Sequence, residues 1–259
     1  MENTGEYKLY APSLASFVLK GYMPTSFTLE NLSSLVRADM RILWIKREDI
    51  GDGVFPEIRA EKKKEYYTQL TLRFLRGFHN VRVLTLNGSF LKALGGSPDI
   101  LDSQPLEFYH LQFLKLSGGS SRESLRTIFY MLKISPNIKA LYLRLGPQVS
   151  RCVDPVYPFY HELNAEDIKG LALPCCMIHH LKVVKIKYLR GRVNELNLLA
   201  TLLKHSMVLE KVILCSRCLN KYHLKEKEEE MEKFREMLLT FPRASANVVI
   251  SYSLSVWYS

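Results

Sequence analysis

The sequence predicts an α/β solenoid, with a parallel β-sheet along one side and helices along the other. Three observations carry that prediction. The spacing apolar-x-x-apolar-x-apolar occurs seven times in 259 residues. Four of the six gaps between successive starts span 21 to 30 residues. Segments with helical periodicity separate several of the occurrences, giving a strand, turn, helix, strand order. Parallel strands need such crossovers, and a unit that cannot bury its own apolar face must stack on its neighbours.

The units begin with Leu14-x-x-Phe17-x-Leu19, Leu35-x-x-Ala38-x-Met40 and Val81-x-x-Leu84-x-Leu86. Leu111-x-x-Leu114-x-Leu116, Ile138-x-x-Leu141-x-Leu143, Leu181-x-x-Val184-x-Ile186 and Leu209-x-x-Val212-x-Leu214 follow. The last three positions of each make a short strand with its apolar side chains on one face. Starts are separated by 21, 46, 30, 27, 43 and 28 residues. The shorter gaps lie near the period of about 20–29 residues of leucine-rich repeats. The fold class is therefore a leucine-rich-repeat solenoid.

The first long gap, Ile50 to Gly77, carries Tyr66, Leu70, Phe74 and Leu75 at helical spacing. The second, Gly146 to Pro174, contains Pro147, Pro155 and Pro158 and reads as a loop or lid. Ser121 opens a helix with Leu125, Ile128, Phe129 and Leu132 on one face, closed by Pro136. Leu196, Leu199, Ala200 and Leu203 form another stripe, and Met231, Phe234 and Leu238 a third on a highly charged helix. Phe241-Pro242 ends that helix, and Val248-Val249-Ile250 starts a final strand.

Composition narrows the class. An apolar content of 47% suits one large globular domain or two small ones. No run of 18 apolar residues exists, so no membrane span is expected. Met1 to Lys8 is polar and carries no signal region, which predicts a cytoplasmic or nuclear protein. Five cysteines, an odd number, do not make a secreted disulfide framework. The net charge of +10 favours acidic partners.

Several stretches resemble a plant family. Ala11-Pro12-Ser13-Leu14 and Glu30-Asn31-Leu32-x-x-Leu35-Val36-x-Ala38-Asp39 resemble the leucine-rich region of plant F-box proteins. Leu181-Lys-Val-Val-Lys-Ile-Lys, Gly191, Asn194-Glu195-Leu196-x-Leu198-Leu199 and Leu202-Leu203-Lys204 look like the FBD domain that follows those repeats. Val208-Leu209-Glu210-Lys211 and Phe241-Pro242-Arg243-Ala244-Ser245 continue that match. The resemblance implies a leucine-rich-repeat region over 1–170 and an FBD domain over 171–259. It further implies the substrate-recognition part of an F-box subunit of a Skp–cullin–F-box ubiquitin ligase, a non-catalytic module that binds a target protein. Such proteins usually begin with an F-box that docks on the Skp adaptor, and nothing in residues 1–40 looks like one. With the first unit starting at Leu14 and no cap before it, we expect a fragment, an internal-start isoform or a truncated product. Skp adaptor and cullin are then partners only if an upstream F-box exists.

In a solenoid, positions alternating with the buried ones face the concave side, which such proteins use for binding. These are Ser16, Val18, Lys20; Arg37, Asp39, Arg41; Val83, Thr85, Asn87; Phe113, Lys115, Ser117; Ala140, Tyr142, Arg144; Val183, Lys185, Lys187; and Lys211, Ile213, Cys215. Eight of these 21 are Lys or Arg and one is acidic, against an average expectation of roughly three cations. Candidate partner-binding residues are Phe113, Lys115, Tyr142, Arg144, Lys185, Lys187 and Lys211, with an acidic or phosphorylated target expected. Exposed strand lysines also discourage edge pairing, which is the competing explanation of the same excess. A stand-alone truncated interaction protein and a phosphate- or nucleic-acid-binding module are the alternatives, with nucleic acid the weaker partner.

No catalytic, metal or cofactor site is predicted. Cys215-Ser-Arg-Cys218 is a single CxxC, and Cys175-Cys176 with His179-His180 lacks paired metal-ligand spacing. Gly95-Gly96 and Gly118-Gly119 lack a phosphate-loop context and read as turns. The mixed-sign runs around Lys62-Lys63-Lys64 and from Lys225 to Glu232 read as solvated helix faces.

Overall fold

The computed structural model describes residues 7–23, 27–43, 60–103, 106–118, 122–145, 178–218 and 224–256. The strands are β1 (Tyr7–Tyr10), β2 (Ser16–Tyr22), β3 (Phe27–Glu30), β4 (Arg37–Leu43) and β5 (Val83–Leu86). They continue with β6 (Phe113–Ser117), β7 (Ala140–Arg144), β8 (Val183–Leu189), β9 (Lys211–Cys218) and β10 (Val249–Val256). The helices are α1 (Ala60–Gly77), α2 (Gly88–Leu94), α3 (Pro98–Ser103), α4 (Arg122–Lys133), α5 (Val193–His205) and α6 (Leu224–Leu239). The chain is thus α/β. Among the described residues no helix is long and apolar enough to cross a membrane.

All seven sequence units become strands of one eight-stranded parallel sheet, in the order β2-β4-β5-β6-β7-β8-β9-β10. The apolar positions line up across it. Phe17, Ala38, Leu84, Leu114, Leu141, Val184, Val212 and Ile250 form one row, and Leu19, Met40, Leu86, Leu116, Leu143, Ile186, Leu214 and Tyr252 the next. From β4 to β9 both rows are buried, and they join one core with Phe74, Phe78, Phe90, Phe108, Phe129 and Phe234. The helices supply the other half of that core. Helix α2 packs on β4, β6, α1 and α4, and α6 packs on α5 and β9.

The units are locked by one repeated backbone arrangement. The residue just before each strand offers its carbonyl to two successive N–H groups of the next unit. Ala15 accepts from Val36 and Arg37, Val36 from Arg82 and Val83, and Arg82 from Gln112 and Phe113. Gln112, Lys139 and Lys182 repeat the arrangement along the sheet. A second repeated bond closes a tight turn ahead of the strand. The first apolar residue donates to the carbonyl three residues earlier, as in Leu35 to Leu32, Val81 to Phe78, Leu111 to Phe108 and Ile138 to Ser135. Each unit is therefore one turn longer than its spacing announces. The extra position is a buried apolar residue at Leu32, Phe78, Phe108 and Ile178, and a buried serine at Ser135, Ser206 and Ser245.

The expected helices over the first long gap, after Ser121, along Leu196–Leu203 and around Phe234 are α1, α4, α5 and α6. The expected loop at Gly146–Pro174 lies outside the described residues, as do Cys175 and Cys176. Four elements were not anticipated. β1 and β3 form a separate two-stranded parallel sheet. Helix α1 holds that sheet: Phe74 stacks on Phe27 with centroids 5.8 Å apart, and the Arg73 guanidinium donates to the Phe27 carbonyl and the Thr28 hydroxyl. The short helices α2 and α3 complete the set.

One expectation is corrected by α2. Asn87 does not continue the open face of β5. It is 3% exposed and caps α2, its Oδ1 accepting from the Phe90 N–H at 3.2 Å while its Nδ2 donates to the Ile42 carbonyl at 2.6 Å. The turn needs a glycine next to it. A Cβ on Gly88 would lie 3.1 Å from Gly118 Cα and 3.2 Å from the Ser117 carbonyl oxygen, both backbone atoms that cannot swing aside.

Candidate functional site

The face of the sheet opposite the core carries the alternating residues in three registered rows. The first reads Ser16, Arg37, Val83, Phe113, Ala140, Val183, Lys211 and Val249. The second reads Val18, Asp39, Thr85, Lys115, Tyr142, Lys185, Ile213 and Ser251. The third holds Lys20 and Arg41 at one end and Ser117, Arg144, Lys187, Cys215 and Ser253 at the other. Directly paired residues on neighbouring strands stand about 4.8 Å apart. Lys115 and Lys185 therefore flank Tyr142, and Lys187 lies beside Arg144.

These rows enclose a cleft of about 600 Å³ over β5 to β8. Six of the seven candidate residues line it: Phe113, Lys115, Tyr142, Arg144, Lys185 and Lys187. Lys211 shares the first row with Phe113 but stands beyond Ala140 and Val183, outside the cleft. Phe113 and Tyr142 are 42% and 37% exposed, so two aromatic faces are open to a ligand among the cations. Arg37 adds a fifth positive charge, and among the described residues no carboxylate lines the cleft.

Tyr188 was not anticipated, and it changes the site. Strict alternation would send its ring toward the core. Instead the pairing of β8 with β9 shifts between Lys187 and Leu189, Leu189 takes the buried position, and Tyr188 has φ +63°. That left-handed conformation costs about 1–2 kcal/mol in a residue with a side chain. The bulge brings the ring into the cleft beside Arg144, whose Cζ lies 4.6 Å from the ring centroid and whose Nη2 donates to the Tyr188 hydroxyl at 3.3 Å. The signal was present in the sequence as apolar residues at Val184, Ile186 and Leu189, where the interval lengthens from two to three.

Charge on the rest of the face is handled differently. Arg41 donates to both carboxylate oxygens of Asp39, at 3.0 and 2.7 Å, and Asp39 in turn holds the Arg41 guanidinium firmly protonated. Lys182 pairs with Glu210 at 2.8 Å. Among the described residues no carboxylate pairs with Arg37, Lys115, Arg144, Lys185 or Lys187. Like charges placed side by side on a sheet cost stability. Cys215 is a free, half-buried thiol in the third row, and among the described residues no group of His, Cys, Asp and Glu is arranged to hold a metal.

The fold and this face define an α/β protein with a registered parallel sheet and one open, basic surface. Residues 172–214, which run from before β8 into β9, match the family described as FBD. The chain is 25% identical over 239 residues to an F-box/FBD/LRR-repeat protein of Arabidopsis thaliana, covering 91% of this chain and 45% of that one. It is 24% identical over 255 residues to a putative F-box/LRR-repeat protein of the same plant, covering 94% and 49%. A further F-box/FBD/LRR-repeat protein of Arabidopsis thaliana is 29% identical over 212 residues, covering 79% and 39%. The chain is similar to plant F-box/FBD/LRR-repeat proteins, and it spans about half the length or less of the curated relatives it matches.

Proposed function

We propose that this chain is a non-catalytic recognition module, the counterpart of the substrate-binding part of an F-box subunit of a Skp–cullin–F-box ubiquitin ligase. In this reading the eight-stranded sheet is the inner layer of a leucine-rich-repeat solenoid over 1–170 that continues into an FBD unit over 171–259. Its open face is the concave, ligand-facing side. The observation that carries the reading is the cleft over β5 to β8, where two exposed aromatics and five cations with no carboxylate partner among the described residues converge on the open face of the sheet. Solenoids present such surfaces to partners. The names of the relatives supply the ligase context.

The mechanism is positional. A target held in the cleft would be kept close to a charged ubiquitin-conjugating enzyme, so that transfer becomes effectively intramolecular without chemistry by this chain. The expected partners are a target protein and, only if an upstream F-box exists, a Skp adaptor and a cullin, in the cytoplasm or nucleus. The test is affinity purification of the tagged gene product from plant cells. Recovery of a Skp adaptor and a cullin supports the reading. Recovery of neither removes the ligase role.

A further inference from the structure

We propose that the cleft over β5 to β8 takes a phosphorylated segment of a partner protein; the proposal rests on the interaction-module reading above and names its ligand class. Charge is the first argument. Arg37, Lys115, Arg144, Lys185 and Lys187 line one cleft with no carboxylate among its described lining residues. A single carboxylate carries one charge and is matched by one cation. A phosphate monoester carries about −1.5 to −2 and three acceptor oxygens, which several cations can share.

Preorganisation is the second argument. Arg144 is half-buried and held by Tyr188 through both ring face and hydroxyl, and its Nε is buried with no hydrogen-bond partner among the described residues. A guanidinium fixed in place loses little freedom on binding and suits an oxyanion. The strained bulge at Tyr188 is what places the ring there.

Extent is the third argument, and it separates a peptide from a polynucleotide. A nucleic acid needs cations along a continuous track. Here the track thins on both sides, to Lys20 beyond β4 and to Lys211 on β9. Asp39 with its bound Arg41 lies toward β4, and Ile213, Cys215, Ser251 and Ser253 carry no formal charge across β9 and β10. A half-open cleft of limited extent with Phe113 and Tyr142 exposed fits one phosphorylated residue with apolar neighbours.

The test measures fluorescence anisotropy of the intact chain with labelled degenerate peptide pools centred on phosphoserine, serine or glutamate, and with a single-stranded oligonucleotide. The phosphoserine pool is expected to bind at least about tenfold more tightly than the other two pools. Arg144→Gln, Lys185→Gln and Lys187→Gln should each weaken it about fivefold or more, while Lys204→Gln on the exposed side of α5 should not. The two lysine variants alter only side chains on the open face and carry the test if Arg144→Gln fails to fold. Equal binding of the serine and phosphoserine pools would overturn the phosphate assignment and leave the interaction module standing. Tightest binding of the oligonucleotide, or binding of no pool, would also overturn it. The ligase role is answered separately by the co-purification above.

Discussion

Arg144 lies over the ring of Tyr188, with its Cζ 4.6 Å from the ring centroid and its Nη2 3.3 Å from the hydroxyl oxygen. The two residues are 44 positions apart and meet only because β7 pairs with β8 and β8 bulges after Lys187. A positively charged cleft would otherwise drive a mobile arginine outward into water. The aromatic ring gives the guanidinium a neutral support that repels none of the neighbouring cations.

A double-mutant cycle should measure that support. Arg144→Ala, Tyr188→Ala and the double variant are compared with the parent by urea denaturation. A coupling of about 0.5–1 kcal/mol is expected for a half-exposed cation–π pair. Tyr188→Phe should keep most of it, since the ring remains and only the hydroxyl acceptor goes. Additivity of the two single changes within error would show that the stacking contributes nothing.

Ser206 and Ser245 occupy the same place in successive units, three residues before the first apolar position, and should respond oppositely to loss of the hydroxyl. Ser245 Oγ donates to the Leu209 carbonyl at 2.7 Å. Ser206 Oγ is buried and without a partner among the described residues. Ser245→Ala should cost about 1 kcal/mol, whereas Ser206→Ala should be neutral or stabilising by up to about 1 kcal/mol. Thermal or urea melts of both variants check the pair, and equal losses would contradict it.

These serines also explain why the full unit was hard to read. The strand positions were legible because a pair of apolar residues two apart recurs in every unit at the same distance from the first apolar position, from Ala38 and Met40 to Val212 and Leu214. The turn position was not, because the place held by Leu32, Phe78, Phe108 and Ile178 is taken in the other units by Ser135, Ser206 and Ser245, whose burial depends on tertiary packing rather than on polarity. Helix α2 was missed for a different reason. Its seven residues are too few for periodicity to separate Phe90, Leu91 and Leu94 from a strand continuing through Asn87. The site was partly legible for the same reason as the strands: the alternation that buries Leu114 and Leu141 exposes Lys115 and Tyr142. Lys211 was drawn in because alternation assigns a face and not a place along it, and Tyr188 was left out because a bulge suspends the alternation.

Asn87 ties the start of α2 to the end of β4, and its two bonds can be separated by substitution. Asn87→Ala removes both the cap and the bond to Ile42, leaving a buried carbonyl unsatisfied, and should cost about 2–3 kcal/mol. Asn87→Asp keeps an acceptor for the Phe90 N–H but sets a carboxylate against the Ile42 carbonyl oxygen in a buried site. It should therefore be at least as damaging at neutral pH and recover as the pH is lowered far enough to protonate it. Chemical denaturation of both variants at neutral and acidic pH makes the comparison. An Asp variant as stable as the parent at neutral pH would mean that the bond to Ile42 is dispensable.

Glu195 gives the chain a pH dependence of identifiable sign. Its Oε2 accepts from the backbone N–H groups of Arg190, Gly191 and Arg192, at 2.9, 2.9 and 3.2 Å, and so organises the loop that leads from the β8 bulge into α5. Its other oxygen is buried with no hydrogen-bond partner among the described residues. Burial pushes the carboxyl above the ordinary glutamate range, and the three N–H donors and the nearby Arg192 charge offset only part of that. A carboxyl whose folded pKa is raised binds more protons folded than unfolded, so its contribution is most favourable below the unfolded value. That contribution declines as pH rises from the ordinary glutamate range through the raised folded value, then levels off. Glu195→Gln keeps an acceptor for the three donors and cannot titrate, so its stability should change less than the parent's across that window. Glu195→Ala should cost about 2 kcal/mol or more at every pH, because three N–H groups lose their shared acceptor. Urea midpoints for the three proteins at closely spaced pH values test this, and a parent curve that rises relative to the Gln variant over that window would reverse the assigned direction.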